Sequence, residues 1–209
     1  AKGEKRHKFI LRYFNDPDKD LKTAAITAAG NTSHENFLPL LIDELSEARF
    51  RESAIKAIAQ YGNSIIVYLI KRYKDPIAPK SLKKYLPDIL LELGSVKAIK
   101  ALLRLSQEGS LKYRTRITNE LSQFKKTRGN LDIPQRVFFK IIRNECEQYR
   151  KLESCYYCQR IVERSNLHPE RVIDINETGS RQVLIEEIKD ALDDNMKRIF
   201  NILALHFNS

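Results

Sequence analysis

The stretch Ala25-Ile26-Thr27-Ala28-Ala29-Gly30-Asn31 recurs in altered form as Ala57-Ile58-Ala59-Gln60-Tyr61-Gly62-Asn63 and as Ile89-Leu90-Leu91-Glu92-Leu93-Gly94-Ser95. The three glycines lie 32 residues apart, and two apolar or alanine residues precede each glycine by four and five positions. A constant period of this size indicates an array of identical supersecondary units. The sequence therefore predicts a repeat protein rather than a fold with one irregular core.

Each unit contains two helices, because apolar residues recur at helical spacing on both sides of a short polar turn. Glycine adopts the left-handed conformation after a helix without steric cost, so the three repeat glycines are predicted to end helices. The expected helices, which form four antiparallel pairs, lie near residues 4–14, 18–29, 34–46, 48–61, 64–74, 79–93, 96–107 and 111–126.

The period lapses after Gly129. A long helix is predicted from Pro134 to about Asn166, where His168-Pro169 breaks it. A loop through 176–179 and a last helix from about Val183 are expected to follow. The predicted fold is an all-α right-handed solenoid over 1–209, regular over 1–128 and less regular over 129–209. Because the chain has no initiator Met and ends on an apolar helix, we expect it to be part of a longer protein.

Two segments of the first half carry a resemblance to a known repeat family. Asp16-Pro17-Asp18 with Ala24-Ala25-Ile26-Thr27-Ala28-Ala29-Gly30, and Arg51-Glu52-Ser53-Ala54-Ile55-Lys56-Ala57-Ile58, resemble HEAT repeats. Both combine an acidic or charged start with an alanine-rich second helix. The resemblance covers residues 4 to about 126 and implies a scaffold or interaction module.

The second half shows a narrower resemblance. Asn144-Glu145 with Tyr149, Leu184-Ile185-Glu186-Glu187-Ile188 and Lys197-Arg198-Ile199-Phe200-Asn201-Ile202-Leu203-Ala204-Leu205 resemble the HEAT region attached to bacterial ATP/ADP translocases. This resemblance implies a cytoplasmic module tethered to the inner membrane through absent parts of a nucleotide transporter. The chain itself is expected not to span a membrane, because its longest uncharged stretch, Ala57–Ile70, is shorter than about 20 apolar residues.

No motif predicts catalysis. Gly94 and Gly109 are the nearest glycine pair, so neither of the glycine-rich phosphate-binding motifs is present. The four histidines are scattered, without a metalloprotease or nucleophile-elbow motif. We therefore expect a protein that is not an enzyme and uses no cofactor.

Cys155-Tyr156-Tyr157-Cys158 has the spacing of half a zinc site, with Cys146 and His168 as candidates to complete it. Two thiols one turn apart on a helix are explained equally well as buried free thiols beside Leu152 and Ile161 or Val162. No second ligand pair is close in sequence, so we predict no metal site. The odd number of cysteines favours a reducing compartment.

The charge is strongly basic, with 37 Lys and Arg against 27 Asp and Glu. Such an excess predicts an anionic partner, which is nucleic acid, acidic lipid or an acidic protein surface. The expected protein partners include the transporter domain of the same parent chain. The predicted contact residues follow the second helices: Arg51, Lys83, Lys84, Arg114, Arg116, Lys125, Lys126 and Arg128. Alternatively, Lys22, Arg51 and Arg114 pair with the turn acids Asp16, Glu47 and Glu108 as structural links.

The sequence thus favours a non-catalytic scaffold, with a second hypothesis left open. HEAT-like DNA glycosylases are of similar length and bind through a basic concave face, although their tryptophan is missing here. Base stacking would then fall to tyrosines near basic residues, which are Tyr61, Tyr73, Tyr85 and Tyr113.

Overall fold

The chain is described by a computed structural model over residues 2–128, 133–165 and 175–207. Residues 2–6, 128, 165 and 175–178 are described by their backbone alone. The described part contains ten α-helices and no strand. The predicted all-α class is confirmed.

The ten helices follow one another with short connections. Their bounds are α1 Lys2–Phe14, α2 Lys19–Thr32, α3 Leu38–Asp43, α4 Arg51–Ala59, α5 Ile66–Lys74, α6 Lys80–Leu93, α7 Val96–Glu108, α8 Leu111–Arg128, α9 Gln135–Ser165 and α10 Ile175–Phe207. Single 3₁₀ turns flank α3 at Glu35–Phe37 and Glu44–Ser46, and another precedes α5 at Gly62–Ile65. The first eight helices agree with the predicted ranges to within a few residues.

The chain forms two compact units, 1–102 and 103–209, whose boundary falls within α7. In the first unit α1 packs on α2, α3 on α4 and α5 on α6. The second helix of each pair also packs on the next, α2 on α4 and α4 on α6. Their shared core consists of fully buried apolar side chains, including Ile26, Leu41, Ile58, Leu82 and Ile89.

Two of the three repeat glycines have the predicted left-handed conformation, although only Gly94 directly caps a helix. Gly94 follows α6 with φ 58°, and its N–H bonds to the Leu90 carbonyl, while Gly62 follows α4 with φ 68°. The prediction for Gly30 is wrong, because Gly30 lies inside α2, whose left-handed end residue is Ser33. A Cβ on Gly30 would lie 2.6 Å from the Ala57 Cα. This glycine therefore permits the close approach of α2 to α4.

The second unit is built on α8, α9 and α10, and α10 packs against both of the others. The predicted loop at 176–179 is wrong, because α10 already begins at Ile175. One exposed helical glycine, Gly179, costs about 1 kcal/mol, which a helix of 33 residues absorbs. The predicted break at His168 and Pro169 lies outside the described residues.

Candidate functional site

Arg51 opens α4 and uses its guanidinium within the first unit. Its Nε donates to the Leu45 carbonyl at 3.1 Å and Nη2 donates to the Ser46 carbonyl at 3.4 Å. The guanidinium carbon also lies 4.4 Å from the centre of the Tyr85 ring, within cation–π range. Arg51 therefore joins the end of one helix pair to α6 of the next.

The lysines predicted on α6 lie nearer to solvent. Lys84 is exposed, with its ammonium 5.1 Å from the centre of the Tyr85 ring, and Lys83 is half-buried. Tyr85 is thus covered by two cations, Arg51 and Lys84. Tyr85 is one of the four tyrosines that the nucleic-acid hypothesis assigned to base stacking, and its ring already contacts two side chains of the protein itself.

Three of the five predicted contact residues of the second unit have partners within the chain. Arg114 pairs with Glu145, and Arg116 Nε lies 2.5 Å from Glu120 Oε1. Lys125 Nζ donates to the carbonyls of Ala204 and Leu205 at 3.2 and 2.9 Å, near the end of α10. Lys126 is exposed, whereas the side chain of Arg128 lies outside the described residues.

Lys22, Arg51 and Arg114 do bond within the chain, as the alternative of structural links expects, but each bonds to a different partner from the one predicted. Lys22 pairs with Glu44 at 2.8 Å, where Asp16 was predicted. Arg51 bonds to backbone carbonyls, where the Glu47 side chain was predicted. Arg114 pairs with Glu145 on α9, where Glu108 was predicted. The Asp16 carboxylate instead accepts the Asp18 N–H in its own turn at 2.9 Å.

The second unit contains a buried charged cluster, which we define as Arg114, Glu145 and Arg198. Glu145 on α9 is 1% exposed and Arg198 on α10 is fully buried. The Glu145 carboxylate accepts from Arg114 through one oxygen and from Arg198 Nε, at 3.2 Å, through the other. Three helices are therefore joined through one carboxylate.

Neutral groups accept hydrogen bonds from the two terminal nitrogens of Arg198. Nη1 donates to the Thr115 hydroxyl at 2.9 Å, and Nη2 donates to the Asn195 Oδ1 at 3.0 Å. Asn195 in turn donates to the Glu145 backbone carbonyl at 3.2 Å in this amide orientation. With two guanidinium groups on one carboxylate, the cluster retains one excess positive charge. Burial lowers the pKa of Arg198, and the Glu145 carboxylate opposes this shift.

The buried charged cluster also fixes which side of α9 faces the interior of the second unit and which side faces solvent. Arg143 and Glu147 each lie two residues from Glu145, which turns them about 200° away from it around the helix. Both are exposed, as are four further cations on the same side. We define the α9 basic face by the five exposed cations Arg136, Lys140, Arg143, Arg150 and Lys151.

No hydrogen-bond or ion-pair partner is found for these five side chains within the described ranges. This distinguishes them from Arg51, Arg114, Arg116 and Lys125. Sequence analysis missed the α9 basic face because the basic residues were aligned on the 32-residue period, which ends before α9. The signal was present as cations at i, i+4 and i+7 in Arg136, Lys140 and Arg143.

The thiols of Cys155 and Cys158 are exposed, so the interpretation as buried thiols is wrong. α9 turns Leu152 and Tyr156 partly inward at this level and leaves Ile161 66% exposed. Cys146 lies nine residues before Cys155, about 13 Å along the helix, too far for the same zinc ion. In the described part of the chain, no three His, Cys, Asp or Glu side chains are grouped as metal ligands. His168 lies outside it.

The other tyrosines considered for base stacking are also placed by the fold. Tyr61 donates its hydroxyl to the His34 carbonyl at 2.8 Å, and burial raises its pKa to about 12. The Tyr113 hydroxyl is buried, and Tyr73 is half-buried. These rings serve the packing of their own units.

Two comparisons complete the description of the site. Among the described helices, none has an apolar stretch sufficient to cross a lipid bilayer. No protein-family model matches the sequence, and no curated protein is significantly similar to it. The features of this chain that bear on its function are therefore the repeat contacts of the first unit and the charges of the second.

Proposed function

We propose that this chain is a non-catalytic α-solenoid of the HEAT type that serves as a scaffold or interaction module for an anionic partner. The observation that carries the proposal is a contact between equivalent residues of successive repeats. Ser95 donates its hydroxyl to Asn63 Oδ1, and these residues stand one position after Gly94 and Gly62. Equivalent residues meet in this way when each repeat stacks on its neighbour.

The charge distribution supports an anionic partner. Several of the predicted contact cations are engaged within the chain, whereas the five cations of the α9 basic face point to solvent together. Exposed like charges within one Debye length repel one another, and an anionic partner relieves this repulsion. The α9 basic face is therefore the surface with the most to gain from binding.

The buried charged cluster supports a structural role over catalysis. A catalytic carboxylate or guanidinium must reach its substrate, yet Glu145 and Arg198 are buried and bond to each other and to Thr115 and Asn195. We further propose, from the resemblance of residues 144–205 alone, that the module belongs to the cytoplasmic side of a membrane nucleotide translocase-like protein.

The proposal is tested with polyanions as probes. Fluorescence polarisation is measured with labelled oligoglutamate and heparin between about 50 and 200 mM salt, where contacts to a polyanion weaken steeply. Salt-dependent binding to either probe supports an anion-binding module, and no binding at about 50 mM overturns it. Release of a modified base from duplex DNA would instead establish the glycosylase hypothesis.

A further inference from the structure

The exposed side chains of α9 form a polar central line with a row of cations on each side of it. At 3.6 residues per turn, Arg136, Glu147 and Ser154 fall within about 20° of one another and form a central line. Lys140 and Lys151 lie about 40–60° to one side of this line, and Arg143 and Arg150 lie about 20–40° to the other. All seven side chains are exposed.

One row of cations on each side of a polar line matches a nucleic-acid groove, in which the base edges lie between two phosphate backbones. The B-DNA major groove is about 12 Å wide, and an α-helix with its side chains is about 10–12 Å across. From Arg136 to Lys151 the face extends about 22 Å along the helix axis, which is enough to follow the groove past several phosphates of each strand. The major groove of A-form RNA is too narrow to admit the helix in the same way.

We propose that the α9 basic face enters the major groove of duplex DNA. Lys140 and Lys151 contact the phosphates of one strand, and Arg143 and Arg150 contact those of the other. Arg136, Glu147 and Ser154 face the base edges, where an arginine recognises guanine and a carboxylate accepts from the cytosine amino group. This inference rests on the proposed function and names its partner class.

The same ordering disfavours a lipid surface. A helix lying on a membrane places apolar side chains on the side that faces the lipid, beside the cations. Here the central line is polar from Arg136 to Ser154, and the exposed rings of Phe139 and Tyr157 lie about 60° from it, beyond Arg143 and Arg150. Exposed Ile161 lies about 20° from this line but ten residues past Lys151, about 15 Å further along the helix axis. Membrane binding is therefore an alternative outcome of the test below.

The burial of Glu145 makes the surface pre-formed. Because Arg114 and Arg198 hold Glu145 on the inner side of α9, the helix cannot rotate without removing a charge from its counter-ions. The α9 basic face consequently requires no rearrangement of α9 before it binds. Pre-organisation of this kind reduces the entropic cost of binding.

The test measures binding of the whole chain to a labelled 20-base-pair duplex DNA across about 50–200 mM salt. Variants K140Q/K151Q and R143Q/R150Q each remove two phosphate contacts, and each is expected to lower the salt slope by about two. The matched control, K71Q/K97Q, removes two exposed lysines of the first unit and is expected to leave the slope unchanged. Glu147→Gln removes a carboxylate from the phosphate field and is expected to strengthen binding to duplexes of any sequence several-fold, while it lowers the preference for a cytosine at the position that Glu147 faces.

Each other outcome has a defined meaning. Binding of oligoglutamate or heparin without duplex DNA overturns the DNA inference but leaves the proposed function standing. Equal affinity for duplex RNA or single-stranded DNA overturns insertion into the major groove, and equal loss in K71Q/K97Q overturns the placement on α9. Sedimentation with phosphatidylserine vesicles in place of DNA binding assigns the surface to a membrane. Failure to bind any polyanion overturns both proposals.

Discussion

Asn63 and Ser95 occupy the same position in successive repeats, and the Ser95 hydroxyl donates a hydrogen bond to Asn63 Oδ1. The preceding pair of repeats is joined by two further bonds. Ser33 donates to the Gln60 carbonyl at 3.4 Å, and Tyr61 donates to the His34 carbonyl at 2.8 Å. In the first unit, the period of the sequence is therefore also a period of contacts.

A double-mutant cycle at this contact measures how strongly neighbouring repeats are coupled. We expect Asn63→Ala and Ser95→Ala to show a coupling energy of about 0.5–1 kcal/mol in urea unfolding, since the bond is exposed. Ser95 also accepts the Ala98 N–H at 3.2 Å, and the cycle subtracts this separate loss. Asn63→Ala with Ser46→Ala, whose hydroxyl bonds locally to Asp43, is the additive control. Additivity in both cycles would contradict coupling through this bond.

Gly30 and Gly179 give a matched pair of helical glycines with opposite expectations. Gly30→Ala places a Cβ 2.6 Å from the Ala57 Cα and 2.8 Å from its carbonyl oxygen, both backbone atoms. We expect a loss of about 2–3 kcal/mol in the free energy of unfolding, since α2 and α4 must separate. Gly179→Ala meets no atom within 4 Å and is expected to stabilise α10 by up to about 1 kcal/mol. Equal effects at both positions would contradict the close approach.

The helices were predictable because their apolar residues recur at helical spacing within a constant period. The role of Gly30 was not predictable, because a glycine at the end of an apolar run has the same local sequence whether it ends a helix or admits a neighbour. The start of α10 was missed for a related reason. Gly179 indicates a turn locally, but the helix continues through it.

The charged site was only partly predictable. The prediction that some basic residues serve structure was correct, yet the partners were chosen from nearby turns. Glu145 and Arg198 lie on separate helices, and only the packing of α10 on α9 brings them together. The α9 basic face required a search outside the period that organised the rest of the chain.

Glu145→Gln tests the buried charged cluster. The substitution leaves Arg114 and Arg198 without their counter-ion, and we expect a loss of about 3–5 kcal/mol in the free energy of unfolding. Glu147→Gln makes the same chemical change two residues away at an exposed position and is expected to stay within about 0.5 kcal/mol of wild type. Similar unfolding midpoints for both variants would show that the cluster does not stabilise the second unit.

Charge reversal compares a cation that pairs with a buried carboxylate with a cation at an exposed position. Arg114→Glu places a second carboxylate beside buried Glu145, so we expect its melting temperature to fall by several degrees. Lys84→Glu changes an exposed residue and is expected to keep its melting temperature within about two degrees of wild type. Thermal unfolding followed by circular dichroism measures both. A larger loss for the α6 variant would assign Lys84 a structural role as well.

Tyr61→Phe gives a prediction for pH dependence. Burial raises the pKa of Tyr61 to about 12, whereas an unfolded tyrosine ionises near pH 10. Between these values the folded state holds a proton that the unfolded state has lost, so this contribution to stability is complete below about pH 10 and declines toward pH 12. At pH 8 the wild type should be more stable than Tyr61→Phe by about 1 kcal/mol, because its hydroxyl bonds to the His34 carbonyl.

That advantage should narrow as the pH rises above 10, since phenylalanine does not titrate and the other tyrosines are common to both proteins. Urea unfolding of both proteins from pH 8 to 11.5 measures the difference directly. Tyr68→Phe, at an exposed position on α5, controls at pH 8 for the loss of a tyrosine hydroxyl away from the His34 carbonyl. If the difference for Tyr61→Phe stays constant with pH, Tyr61 ionises alike in both states, and the contact between repeats at His34 leaves its hydroxyl accessible to water.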